Sequence, residues 1–149
     1  MSFFANRLIV VPIDMSEFSM KAFKAATEIA DDPGHIRIVH VLPILEPVEP
    51  GIIWSAVDDA TRIDRVRESL QGFMKQQGYE NPHLEIRLGD PGNEISLYAA
   101  ELDAGLIVIP SHGRGVLTRI LLGSTTDRVV HLAHCPVLVL KEKTGRNER

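Results

Sequence analysis

The sequence predicts an α/β domain built on a parallel β-sheet, and three observations carry that prediction. Short β-branched runs alternate with longer amphipathic stretches along the chain, the pattern of parallel strands joined by crossover helices. Most of those runs are almost continuously apolar, as strands covered on both faces must be. A length of 149 residues suits one domain, 1–149, whose core removes roughly two-thirds of the unfolded surface from water. Residues 141–149 are read as a frayed, charged tail of that domain.

Five strands are expected, at residues 8–13, 36–42, 84–88, 106–109 and 137–140. In the third, Leu84, Ile86 and Leu88 alternate with Glu85 and Arg87, which marks a strand with one wet face at the edge of the sheet. The other four read as covered on both faces.

Four helices fill the intervals. The first follows Ser16, with Ala22, Ala25, Ala26 and Ile29 on one face. The second covers about 59–77, where Ile63, Val66, Leu70, Phe73 and Met74 recur at helical spacing and Gly78 supplies a stop. The third is capped by Asp90, has Pro91 in its first turn, and turns Ile95, Tyr98, Ala99 and Leu102 inward. The fourth starts at Ser124, with Asp127 three residues on in a short form of the capping box. Residues 43–57 contain Pro43, Pro47, Pro50 and Gly51 but also Trp54, so they form either a lid over a pocket or a surface connection pinned by Trp54.

Composition sets limits on function. The net charge is −4 and no basic run occurs, so neither nucleic acid nor an anionic membrane is the expected partner. Cys135 is the single cysteine, which fits a reducing cytoplasm. The apolar stretch 8–11 is cut off by Pro12 and Asp14, too short for a signal peptide or a membrane span.

The segment 111–124 carries the chemistry. After Pro110 the chain reads Ser111-His112-Gly113-Arg114-Gly115, continues through Val116 to Leu122, and closes on Gly123-Ser124 at a helix start. Glycines let backbone N–H groups approach an anion, and the positive end of the following helix attracts one. No acidic residue lies between Ala104 and Thr126, whereas Arg114 and Arg119 do. Ser124 is placed to cap its helix and offer a hydroxyl to a phosphate oxygen. The competing reading is that Gly113 and Gly115 merely turn the chain and Gly123 ends a helical turn. Neither a Walker A lysine nor a dinucleotide glycine fingerprint is present.

These residues resemble the universal stress protein family, whose nucleotide-binding members show Gly, two residues, Gly, nine residues, then Gly followed by Ser or Thr. Here the match is Pro110, Ser111-His112, Gly113, the nine residues Arg114 to Leu122, then Gly123-Ser124. The resemblance extends to Val11-Pro12-Ile13-Asp14, His40-Val41, Gly89-Asp90-Pro91 and His134-Cys135-Pro136-Val137-Leu138-Val139.

It implies a doubly wound, Rossmann-like sheet of strand order 3-2-1-4-5, of the adenine nucleotide alpha hydrolase-like type. It also implies ATP, or AMP or ADP in its place, bound where that order reverses. In that reading Asp14 accepts from ribose hydroxyls and the backbone of Val41 meets the adenine edge. Gly113, Gly123 and Ser124 hold phosphates with the backbone of Thr125 beside them, and Pro12, Pro110, Ser111, His112 and Arg114 complete the set. Mg²⁺ or Mn²⁺ would be held through the phosphates. Asp14 has a rival role as a helix cap beside Ser16, and Val41 as a core strand residue. Pro110 stands where the family has its first glycine, so one N–H is missing from the cradle.

Other constellations weigh less. Adjacent Ser111 and His112 are expected to point apart, against a Ser-His-Asp triad with Asp14. His131 and His134 share a helix face near Cys135 without a second pair of metal ligands. The apolar last strand at a sheet edge invites pairing with a second copy, and the family commonly dimerises there. The leading expectation is an ATP-binding, homodimeric regulatory or stress-response module with an unidentified protein partner, whose nucleotide orders residues 43–57. Alternatives are a nucleotide-free interaction protein of the same fold, or slow ATP hydrolysis or phosphate transfer to Ser124, for which no general base is well placed.

Overall fold

The structure, a computed structural model, describes residues 4–45, 59–112 and 122–141. Its elements are β1 (Ile9–Pro12), α1 (Glu17–Ile29), β2 (Ile36–Leu42), α2 (Asp59–Gln76), β3 (His83–Leu88), α3 (Pro91–Glu101), β4 (Leu106–Pro110), α4 (Ser124–Leu132) and β5 (Val137–Leu140), with a single 3-10 turn at Pro33–His35. The strands form one sheet in the order β3-β2-β1-β4-β5, every pair parallel. Expected and observed bounds agree to within a residue or two at each end, and the lid segment lies outside the described residues from 46 to 58.

The continuous apolar runs have a simple cause. Side chains alternate across a strand, so Ile9, Val11 and Ile13 enter one core with α1 and α2, among Met20, Phe23, Leu70 and Met74. Val10 enters the other with α3 and α4, among Ile95, Tyr98, Ala99 and Val129. In β4, Leu106 and Val108 join the first core and Ile107 and Ile109 the second. The buried face of α1 is broader than its alanines suggest, because Met20 and Phe23 are also buried while Ala25 and Ile29 are only partly so. The Phe23 ring meets Tyr79 edge-on at 4.6 Å.

The helix ends follow local chemistry. Ser16 is extended and its hydroxyl accepts the Ser19 amide at 3.2 Å. The Asp90 carboxylate accepts the Asn93 amide at 2.9 Å. Gly78, at φ +92°, ends α2 in the left-handed region where a side chain is strained. One expected cap is corrected: Gly123 is the N-cap of α4 and Ser124 its first helical residue, with no side-chain cap bond.

The two sheet edges differ. On β3, Arg87 bonds Glu101 through both terminal nitrogens at 2.9 and 3.0 Å and Glu94 through Nε at 2.8 Å, while lying over the Tyr98 ring. Charge and an engaged guanidinium mark this edge as expected. β5 carries only Val137-Leu138-Val139-Leu140, and Leu138 is 37% exposed. The expectation that β5 is covered on both faces is met only in part: Val137 and Val139 pack against one core and Leu140 against the other, but none of the four residues is fully buried because the sheet ends there.

Candidate functional site

Parallel strands of an open sheet leave a crevice at their carboxyl ends where neighbouring crossovers go to opposite faces. Here that point lies between β1 and β4. The two strands pair at Ile9 with Leu106 and Val10 with Ile107, and beyond those pairs a cavity of about 300 Å³ opens. Its walls include Pro12, Asp14 and Val41 on one side and Pro110, Gly123, Ser124 and Thr125 on the other. Seven of the candidate residues are thus brought together.

The remaining four separate. Ser111 and His112 line a small neighbouring depression with Phe18, Lys21 and Lys141, and Gly113 and Arg114 lie outside the described residues. The Ser111 and His112 side chains also do not point apart. Oγ and Nδ1 lie 3.0 Å from each other, and the His112 ring packs against Phe18 at 5.3 Å. A triad is still not formed on Asp14, whose side-chain bonds go to Ser16.

Hydrogen-bond direction explains why prolines stand at the crevice. Amides two apart on a strand point to the same neighbour. Ile107 N–H and Ser111 N–H donate to Pro136 and Leu140 on the β5 side, so the amide missing at Pro110 belongs to the opposite edge, facing β1. Ile13 N–H donates to Val39 on the β2 side at 2.9 Å, so the amide missing at Pro12 faces β4. Both prolines withdraw a donor from the edges that flank the cavity, and neither breaks a ladder bond to its outer neighbour.

On the far wall, α4 is pinned to the end of β4 by two bonds. Gly123 N–H donates to the Ser111 carbonyl at 2.8 Å and the buried Thr126 hydroxyl donates to the Pro110 carbonyl at 2.7 Å. The first-turn amides of Ser124 and Thr125 thereby stay at the crevice with the positive end of the helix. A Cβ on Gly123 would meet His112 Cα at 3.1 Å, so the chains approach closely because no side chain intervenes.

Asp14 supplies the opposite charge. Burial in the wall pushes its carboxyl up, but bonds from the Ser16 hydroxyl and amide, with smaller contributions from the Ser19 hydroxyl and its own backbone, outweigh burial and hold it below the ordinary carboxylate range. It is ionised at neutral pH. Beside it, His40 Nδ1 lies 2.5 Å from the Ile13 carbonyl; a carbonyl only accepts, so that nitrogen carries the proton.

Sequence reasoning missed Ser19, Pro91, Ile95 and Thr126 as lining residues. Ser19, three residues beyond the Ser16 cap, and Thr126, in the first turn of α4, were within reach of helical spacing. Pro91 and Ile95 depend on how α3 packs. The histidine cluster is corrected too, since α4 ends at Leu132 and His134 lies beyond it. His131 instead turns back on the Asp127 carbonyl at 2.8 Å. Burial raises the Cys135 thiol above its ordinary value, and among the described residues no three His, Cys, Asp or Glu side chains gather as a metal site. No helix among the described residues is long and apolar enough to cross a membrane.

The order β3-β2-β1-β4-β5 and the crevice at β1 and β4 define a doubly wound α/β domain with a ligand-sized cavity at its switch point. The sequence model of the universal stress protein family matches residues 5–141. A universal stress protein of Methanocaldococcus jannaschii is 36% identical over 140 residues, 90% of this chain and 81% of that one. UspA of Lactobacillus plantarum superposes with a TM-score of 0.67 at 28% identity, over 91% of this chain and 98% of the other. A universal stress protein solved in complex with cAMP shares the fold, with a TM-score of 0.56 at 22% identity over 91% and 97% of the two chains. The chain spans 45% of the length of a Mycobacterium tuberculosis relative, at 35% identity. The chain belongs to the universal stress protein family.

Proposed function

We propose that the chain binds an adenine nucleotide in the crevice between β1 and β4, ATP or in its place AMP or ADP, and acts as a regulatory module rather than a dedicated enzyme. The observation that carries the reading is the polarity of the cavity. An ionised Asp14 stands on one wall, suited to ribose hydroxyls, and the first-turn amides of α4 stand on the other, suited to phosphate. A cavity of about 300 Å³ lies at the lower end of small-molecule sites. The cAMP complex of a fold relative supports an adenine nucleotide as the ligand class. Mg²⁺ or Mn²⁺ would be carried by the phosphates. A homodimer through β5 fits the contrast between its bare aliphatic edge and the charged edge of β3, and the half-buried, unpaired thiol of Cys135 fits a reducing, cytoplasmic setting.

Titration calorimetry and thermal melting with ATP, ADP and AMP in the presence of Mg²⁺ test this. At a ligand concentration of 100 Kd the native state gains about 2.7 kcal/mol, which raises Tm by about 5–10 °C for a chain of this size. Absence of both heat and a Tm shift at millimolar concentration of all three would overturn the reading.

The donor missing at Pro110 favours a second reading, an interaction protein of this fold that holds no nucleotide. Pro110→Ala tests what the missing donor costs, because it places an N–H on the crevice side without breaking the bond between Ser111 and Leu140. Affinity for ATP is expected to rise about tenfold, the worth of one good hydrogen bond to a charged oxygen. A variant with unchanged affinity, measured by calorimetry, would show that this edge does not contact the nucleotide.

A further inference from the structure

The turn between β1 and α1 is built in an unusual way. The Ser16 amide donates to Asp14 Oδ1 at 3.0 Å, closing a side-chain turn over Met15. Met15 occupies the left-handed region at φ +64°, a conformation that persists for a side chain of this kind only when its surroundings fix it. The fixing group is Ser16. Its hydroxyl donates to the same Asp14 Oδ1 and at the same time accepts the Ser19 amide as the N-cap of α1. Ser19, itself 1% exposed, returns its hydroxyl to the Ser16 carbonyl at 3.0 Å. One hydroxyl therefore belongs to two structures, the cap of a helix and the carboxylate of the crevice wall.

We propose that Ser16 is a positioning residue for ligand capture: it holds Asp14 Oδ1 against the first turn of α1 and so leaves Oδ2 for a hydroxyl of the ligand. Both bonds from Ser16 fall on Oδ1, so the carboxylate is fixed about its own torsion and meets the crevice with one oxygen. This rests on the nucleotide reading for the identity of that hydroxyl, a ribose hydroxyl, but the fixing of Asp14 does not depend on it. The consequence is coupling. A ligand bonded to Asp14 also rigidifies the α1 cap, and loss of the Ser16 hydroxyl leaves the carboxylate held by the Ser16 amide alone and so less firmly aimed at the ligand.

The test compares wild type, Ser16→Ala and Ser16→Thr, using ATP and 2′,3′-dideoxy-ATP as probes and carbon-detected NMR titration of the Asp14 carboxyl. In Ser16→Ala the affinity for ATP is expected to fall about tenfold with dideoxy-ATP unchanged, and the Asp14 midpoint is expected to rise toward that of an ordinary carboxylate. Ser16→Thr, which keeps the hydroxyl, should restore both. Equal loss for the two nucleotides would overturn the proposal, since a merely structural cap cannot distinguish a ribose hydroxyl. If wild type binds neither nucleotide, the nucleotide reading fails, and the Asp14 midpoint decides alone: a rise in Ser16→Ala reversed in Ser16→Thr upholds the positioning role, and an unmoved midpoint ends it.

Discussion

Replacing Gly123 with valine is expected to abolish measurable nucleotide binding and to lower stability by about 1–3 kcal/mol, the range for forcing carbon into a well-packed site. Backbone conformation is not the obstacle, for Gly123 sits at φ −59° and ψ 156°, which any residue adopts. The obstacle is the chain opposite. The first added carbon meets His112 Cα at 3.1 Å, with His112 Cβ at 3.4 Å and the Ser111 carbonyl at 3.6 Å, and a backbone atom cannot swing aside as a side-chain tip would. Relief requires lengthening the 2.8 Å bond from Gly123 N–H to the Ser111 carbonyl. That bond aims the first turn of α4 at the crevice, so the movement withdraws the amides a phosphate would use. Alanine, with two carbons fewer, should fall between glycine and valine. Urea denaturation reads the stability and calorimetry the binding; a valine variant that keeps both would show that the close approach at Gly123 is not what orients α4.

Much of this arrangement could be read from residue order. The alternation of Leu84, Ile86 and Leu88 with Glu85 and Arg87 marked β3 as an edge, and the doubly apolar runs of β1 and β4 marked strands between two helical layers. Ser16 and Asp90 announced their helices because an N-cap is a local bargain between a side chain and amides two or three residues on. Ser124 misled for the same reason. Its composition suits a cap, yet the cap position is decided by the Ser111 carbonyl, thirteen positions from Ser124, which takes the Gly123 amide and leaves Ser124 already helical. Proline at 110 was visible as a missing donor, but which side lost it depends on strand register, and register is set by β5. The contact of Ser111 with His112 and the lining by Pro91 and Ile95 likewise depend on where distant elements pack. Local signals therefore located the elements and the carboxyl-end crevice, while the direction of each donor within the crevice belonged to the tertiary structure.

Ile107→Ala is expected to remove about 3–4 kcal/mol of stability, the usual cost of truncating a fully buried isoleucine, out of a total that for such domains is about 5–15 kcal/mol. Ile107 is 0% exposed, lies on β4 between β1 and β5, and belongs to the core formed with Val10, Ile95 and Val129. Chemical denaturation should show a lower midpoint with an unchanged slope, since the surface exposed on unfolding is nearly the same. The site itself should be untouched. Ile107 is three positions before Pro110 and does not line the cavity, so the nucleotide affinity of the folded fraction should equal that of wild type. A ligand stabilises the native state by an amount fixed only by its concentration and its Kd, so ATP should return the same free energy to Ile107→Ala as it adds to wild type. Gly123→Val, which loses less stability, should gain nothing from ATP. The two variants thus dissociate the core that supports the crevice from the groups that fill its walls. If ATP failed to rescue Ile107→Ala while still rescuing wild type, β4 would have to be a mobile part of the site rather than its rigid floor.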